Sequence, residues 1–336
     1  MLHNVGRDIL NAAHRGVRHI FSPMDTGVLV QVSLGGLAQG AILGLIALGF
    51  SLVAGTVRVL HFAHGDIAVA SIFIGVLSIL GRIPTAAALA PMPSVLLVLL
   101  IVAAGAVLAG LVALLVVLPT LPKLPDRYRR GGDVLGWIAG GLAAGLLLRE
   151  TLGAVFPQEG YAIPDPFRFD KLVSGGLVRL PGGSTVPIRA MLVLVIGLGI
   201  GIIAQQALVH SGLGRAMRAV ADDPEGAALC GVSASRVVMW AFIAAGLLAG
   251  IAGVLAAPGR AISVDDGAVL GLEAAAAALL GGVGSLPGAL IGGLAVGLFQ
   301  ALVAYALGAG WYDVAPLALL VVLVAVRPPG IVVRAS

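Results

Sequence analysis

The chain has 336 residues, of which 59% are hydrophobic, 11% charged and 5% aromatic, with a mean hydropathy of +1.08. This composition excludes a soluble globular domain and describes a chain that traverses lipid many times. The net charge of +4 and the pI near 9.7 arise from cations flanking apolar segments and give no reason to invoke a nucleic-acid partner. One cysteine, Cys230, excludes an internal disulfide and any cysteine-based metal cluster.

In chain order, Met1–Asp25 carries Arg7, Arg15 and Arg18 but no apolar core before a small-residue cleavage site. We read residues 1–26 as a basic, interfacial or flexible extension rather than a signal peptide. Gly27–Val57, Ser94–Leu118, Ala190–Val209 and Val237–Gly259 each run uncharged for about 20 residues or more, enough to span a bilayer. Gly27–Val57 is compatible with one tilted helix or two short broken ones. Ile67–Gly81, Val134–Leu148 and Val314–Val326 become spans with borrowed flanks, and Ala274–Tyr312 reads as two segments around the turn GGVGSLPG. The expectation is an all-α polytopic membrane protein with roughly 8 to 10 crossing or re-entrant helices.

Cations orient it. The link Pro119–Asp133, with Lys123, Arg127, Arg129 and Arg130, is expected on the cytoplasmic side, and Arg149–Pro187 on the outer side. One crossing later the polar island Gly212–Arg236 returns to the cytoplasm, and the tail after Arg327 ends there as well. Within the island, Asp223 is placed to cap a short helix with Pro224 at its first position. Glu225 then complements its positive end, and Gly231 stops it after about two turns. A capped helix between spans predicts a docking element.

Glycine supplies 49 residues. Gly36, Gly40 and Gly44 form consecutive GxxxG steps, as do Gly136 with Gly140, Gly141 with Gly145, Gly246 with Gly250, Gly288 with Gly292, and Gly293 with Gly297. Such spacing lets helix backbones approach where lipid removes any hydrophobic drive between helices. Gly40, Gly44 and Gly49 recur at the spacing of Gly288, Gly292 and Gly297, the trace an internal repeat would leave.

Little in the chain suggests bond-making chemistry. The only lysines, Lys123 and Lys171, follow Pro122 and Asp170, so no P-loop is formed. His61 and His64 precede Asp66 in HFAHGD at a helix break; with no third ligand beyond Asp66, a structural cytoplasmic turn is the plainer reading than a metal site. Glu273 is the one acid leading into a long uncharged run. It is a functional candidate by its depth, yet it follows Asp265 and Asp266 closely enough to sit at a helix start or outer interface.

GLAQGAILGLIALGFSLVAGTVRVLHFAHGD (Gly36–Asp66), GRAMRAVADDPEGAALCGVSASRV (Gly214–Val237) and AALLGGVGSLPGALIGGLAVGLFQAL (Ala277–Leu302) resemble the LivH-type permease of branched-chain amino acid ABC importers. RPPGI, Arg327–Ile331, resembles that family's ending, and LPGALIGGLAVGL is closer to LivH than to its LivM partner. The resemblance implies one permease domain over residues 27–331, of the type II-like importer fold shared with ribose-type sugar permeases. It implies no cofactor in this chain, two ABC ATPase subunits, a second permease chain (a LivM-like heterodimer ahead of a homodimer) and an extracytoplasmic substrate-binding protein. It makes residues 212–236 the ATPase-coupling segment, with Arg215, Arg218, Asp222, Asp223, Pro224, Glu225, Gly226 and Gly231 as its polar and turn positions. It makes His61, Phe62, His64, Gly65 and Asp66 a cytoplasmic junction. Gly40, Gly44, Gly49, Glu273, Gly281, Gly282, Gly284, Gly288 and Gly292 are candidates for the pathway or for helix packing. The family commonly has Asn at the place of His61 and Lys at that of Glu273. Relatives of this permease type serve other amino acids, amides and urea, and an ion-coupled transporter using Glu273 is the alternative from another class.

Overall fold

A computed structural model describes residues 26–57, 61–80, 94–119, 134–156, 185–259 and 261–326, with parts of 160–179. The basic link, the N-terminal extension and the RPPGI tail lie outside these residues.

The helices are α1 Thr26–Val57, α2 His64–Leu80, α3 Ser94–Val112, α4 Val134–Val155, α5 Ile188–His210, α6 Gly212–Asp222, α7 Pro224–Leu229, α8 Ala234–Ala256, α9 Asp266–Gly281, α10 Leu286–Leu307 and α11 Val314–Val326. A π-helical turn, Ala113–Val117, extends α3. Two short strands, β1 Leu177–Arg179 and β2 Thr185–Pro187, pair as an antiparallel hairpin before α5. Among the described residues, seven helices are long and apolar enough to cross a membrane: α1, α3, α4, α5, α8, α10 and the segment ending in α11. With the shorter α2 and α9 packed inside the bundle, the protein is an all-α polytopic membrane protein.

Residues 26–57 form one continuous helix of 32 residues, about 48 Å at 1.5 Å per residue. No proline and no charge interrupts it, so nothing breaks the intrahelical ladder. Arg149 and Glu150, expected in the outer loop, belong to α4, because the apolar run Val134–Leu148 continues through Leu152 and Val155 and holds the helix across them.

The core is built on glycine contacts. Helix α1 runs antiparallel to α10: Gly36 meets Gly297, Leu298 and Ala301, Gly40 meets Gly293 and Leu294, and Gly44 meets Leu290. A Cβ at Gly293 or Gly297 would fall on α1 backbone atoms, so the two chains touch backbone to backbone. The glycines of α10 divide between two neighbours. Gly293 and Gly297 face α1, whereas Gly288 and Gly292 face Gly281 and Ala277 of α9. Gly105 of α3 nests against Gly246 and Gly250 of α8 in a second pair of the same kind.

These antiparallel contacts fix the ends. The start of α1, the hairpin and the end of α8 lie together: β2 touches α1, and Arg189 at the start of α5 donates to the Leu255 carbonyl of α8 at 2.6 Å, while Tyr161 after α4 bridges Ile262 after α8. The end of α3, the corner α6–α7 and the GGVGS turn lie at the opposite end.

Candidate functional site

At that opposite end, α5 stops at His210 and the chain turns back into α6. Four carbonyls at a helix C-terminus lack an intrahelical donor, and here each has one. Ala207 accepts from the Ser211 amide at 3.0 Å, and Leu208 from the Ser211 hydroxyl at 3.2 Å. Val209 accepts from Arg218 Nη2 at 3.3 Å, and His210 from Arg215 Nη1 at 3.1 Å. Ser211 also caps α6, its Oγ accepting from the Gly214 amide at 3.0 Å. Gly214 lies directly against the Leu208 carbonyl, where a Cβ has no room.

Helix α6 buries Gly214, Met217 and Val220 and exposes its charged face. Asp223, in extended conformation, ends α6 and caps α7, accepting from the Glu225 amide at 3.1 Å. Pro224 occupies the first turn, where its missing N–H costs nothing. Beyond Cys230, Gly231 adopts φ +79°, and the Val232 amide reaches back to the Ala227 carbonyl at 2.9 Å, a Schellman stop that favours glycine. The local geometry of Asp223, Pro224, Glu225 and Gly231 is therefore as their sequence predicts. Gly226 packs against the Asp223 carboxylate, while Asp222, Asp223 and Glu225 are exposed and Leu229 is 91% exposed. Arg215 and Arg218 turn back onto their own chain.

HFAHGD is not a surface turn. His61, His64 and Asp66 are 6%, 2% and 7% exposed. The His64 ring lies against Gly49 and Phe50, eight residues back from Val57 on α1, so the chain re-enters the bundle by about 12 Å after α1 ends. His61 packs edge-on to Phe242 at 5.1 Å and against Gly141. Glycines make the room: Gly65 rests on Gly267 and Gly271 of α9, and Gly145 faces Ala63 and Asp66. Phe62 is partly buried against the same core. The sequence missed this because a turn and a re-entrant break have the same local composition.

Two polar pairs, one part-buried and one buried, tie distant helices. Arg149 Nη2 donates to Asp66 Oδ1 at 3.1 Å, and Arg149 Nε lies 4.0 Å from exposed Asp265 at the start of α9. Glu273 is 2% exposed, enclosed by the bundle two turns into α9. Gln300, fully buried on α10, donates Nε2 to Glu273 Oε1 at 2.9 Å. Each is seven residues from the end of its helix on the hairpin side, which puts the pair at one depth. Gln300 and Arg149 were not singled out from the sequence. The available signal was that Gln300 is the lone amide in an uncharged run.

At the GGVGS turn, Gly282 and Gly284 adopt φ +92° and +86°, and Ser285 caps α10 by accepting from Gly288. Gly55 of α1 packs on Gly284.

A glycine-packed helical bundle with polar pairs inside and one capped, charged excursion at its end is a multi-pass membrane permease. The chain belongs to the family described as branched-chain amino acid transport system / permease component, whose model matches residues 32–325. It is 30% identical to the high-affinity branched-chain amino acid transport system permease protein LivH of Escherichia coli, over 91% of this chain and 96% of that protein. It is 29% identical to LivH of Salmonella typhimurium and 28% identical to the permease protein BraD of Pseudomonas aeruginosa, each again over 91% of this chain and 96% of the relative. No solved structure matches.

Proposed function

We propose that this chain is the membrane-spanning subunit of an ATP-binding cassette importer that moves branched-chain or other apolar amino acids delivered by an extracytoplasmic binding protein. Two ATPase subunits dock on α6 and α7, and a second, LivM-like permease completes the pathway. The end carrying α6, α7 and the link 119–133 is cytoplasmic, and the hairpin end is extracytoplasmic. The observation that carries the reading is the excursion 211–233: it is a charged, helical element set between apolar helices, and its two helices are capped at their ends. The relatives' names and the apolar bundle support amino-acid cargo.

In this reading ATP closes the ATPase dimer, α6 and α7 move with it, and closely packed helices rock as rigid bodies to expose the other side. Gly40, Gly44, Gly49, Gly281, Gly288 and Gly292 serve as helix-packing positions around the pathway, Gly282 and Gly284 shape the turn at the bundle end, and Glu273 is held by Gln300.

The test is purification of the chain from its native membrane in mild detergent, with mass spectrometry of what remains bound. Recovery of ATPase subunits and a second permease supports the importer. Recovery of this chain alone, with transport insensitive to ATP depletion, overturns it in favour of an ion-coupled carrier that uses Glu273.

A further inference from the structure

We infer that Arg215 and Arg218 are positioning residues that weld α6 to α5, making the pair a single lever, and that they are not contacts to the ATPase. The inference rests on the docking reading of α6–α7. It is carried by the complete satisfaction of the α5 terminus. All four terminal carbonyls, Ala207 to His210, accept a hydrogen bond from residues at or beyond Ser211, and the last two depend on the guanidinium groups.

The geometry stiffens the corner on both sides. Ser211 donates back to α5 and accepts from α6, and Gly214 leaves no space between its backbone and the Leu208 carbonyl. A cation at a helix C-terminus is favoured by the helix dipole, and a guanidinium has several donors in fixed geometry to spend on such carbonyls. The next corner is also held: Asp223, the single extended residue between α6 and α7, donates its amide to Ala219 and accepts from Glu225 and Ala227. A push on α7 and α6 is therefore passed to α5 as a rigid body. Helix α5 in turn touches the central helix pair, Gly197 against Ala41 of α1 and Gly201 against Leu290 of α10. The buried face of α6 also rests directly on α1 and α8, so motion of a docked ATPase reaches the core both through that face and through the arginine-capped α5, while the exposed acids Asp223 and Glu225 stay on the outer face of the excursion.

The test uses the transporter assembled with cysteine-free ATPase and permease partners. Spin labels are placed at Ile203→Cys on α5 and Ala219→Cys on α6 in a Cys230→Ser background; both host positions are exposed. A third label site, Leu115→Cys at the end of α3, gives the reference from which each helix's displacement is read. With both arginines present, the Ile203–Ala219 distance is expected to stay single and narrow with and without bound ATP, while both labels shift together relative to Leu115. Arg215→Ala with Arg218→Ala is expected to broaden that distance and abolish the ATP-driven shift of Ile203, with ATPase subunits still bound. The paired lysine variant restores the narrow distance.

A shift of Ala219 without Ile203, or no shift of either, in the unmutated background overturns the lever; that measurement decides even if the alanine variant fails to insert. Loss of the ATPase subunits from the alanine variant overturns it too, by making the arginines docking contacts, and leaves the docking reading standing. Failure of the unmutated chain to hold ATPase subunits overturns the docking reading and the lever together.

Discussion

Gln300 donates its side-chain amide to Glu273 across the α9–α10 contact, 27 residues apart in sequence and both shielded from solvent. A carboxylate and an amide held this way act as a cross-link between two helices that otherwise touch through glycine and alanine.

Glu273→Ala leaves the buried Gln300 amide without its acceptor and is expected to destabilise the bundle by about 1–3 kcal/mol. Glu273→Gln keeps an acceptor oxygen at the same place and is expected to cost less than half of that. Thermal unfolding of the two variants in one detergent compares them; equal losses would show that the hydrogen bond is not what holds α9 to α10.

The Asp66–Arg149 pair joins the re-entrant start of α2 to α4, with side chains 7% and 23% exposed. Arg149→Ala strands the buried Asp66 carboxylate and is expected to cost about 3 kcal/mol, Asp66→Ala costs less because Arg149 is part-exposed and keeps Asp265 nearby, and the double variant costs clearly less than their sum. A double-mutant cycle on thermal or denaturant unfolding reads the coupling. Additive losses would mean that the two residues act independently.

Gly297→Val puts a branched side chain onto the backbone of Gly36 and Gly40. The helices have to part, and the expected loss is at least about 1–3 kcal/mol with reduced yield of folded protein in the membrane. Gly199 on α5 has open space around it, so Gly199→Val serves as the control and is expected to insert and melt as the parent does. Matching behaviour of the two variants would contradict the backbone-to-backbone packing of α1 on α10.

Glu225 is exposed on α7, and its side chain is not used by the cap. Under the proposed function, Glu225→Lys inserts normally but binds ATPase subunits at least about tenfold more weakly, a change of roughly 1.4 kcal/mol. Co-purification from membranes measures it. Undiminished recovery of the ATPase subunits would remove α7 from the docking surface.

The amino-acid sequence by itself determined what depends on composition and on neighbours along the chain. Apolar runs near 20 residues set the spans, because each backbone group in lipid has to be satisfied within its own helix. The signals at Asp223, Pro224, Glu225 and Gly231 set the limits of α7, because capping is a contact between residues a few positions apart. The tertiary structure alone decided which faces meet. Helices that are apolar all round carry no stripe that marks the buried side. Nothing local therefore pairs Gly293 with α1 and Gly292 with α9, or Asp66 with Arg149 across 83 residues. The same holds for HFAHGD, whose turn residues look alike at a surface and in the interior, and for Arg215 and Arg218, whose direction follows from the tight corner at Gly214 that brings the end of α5 within reach.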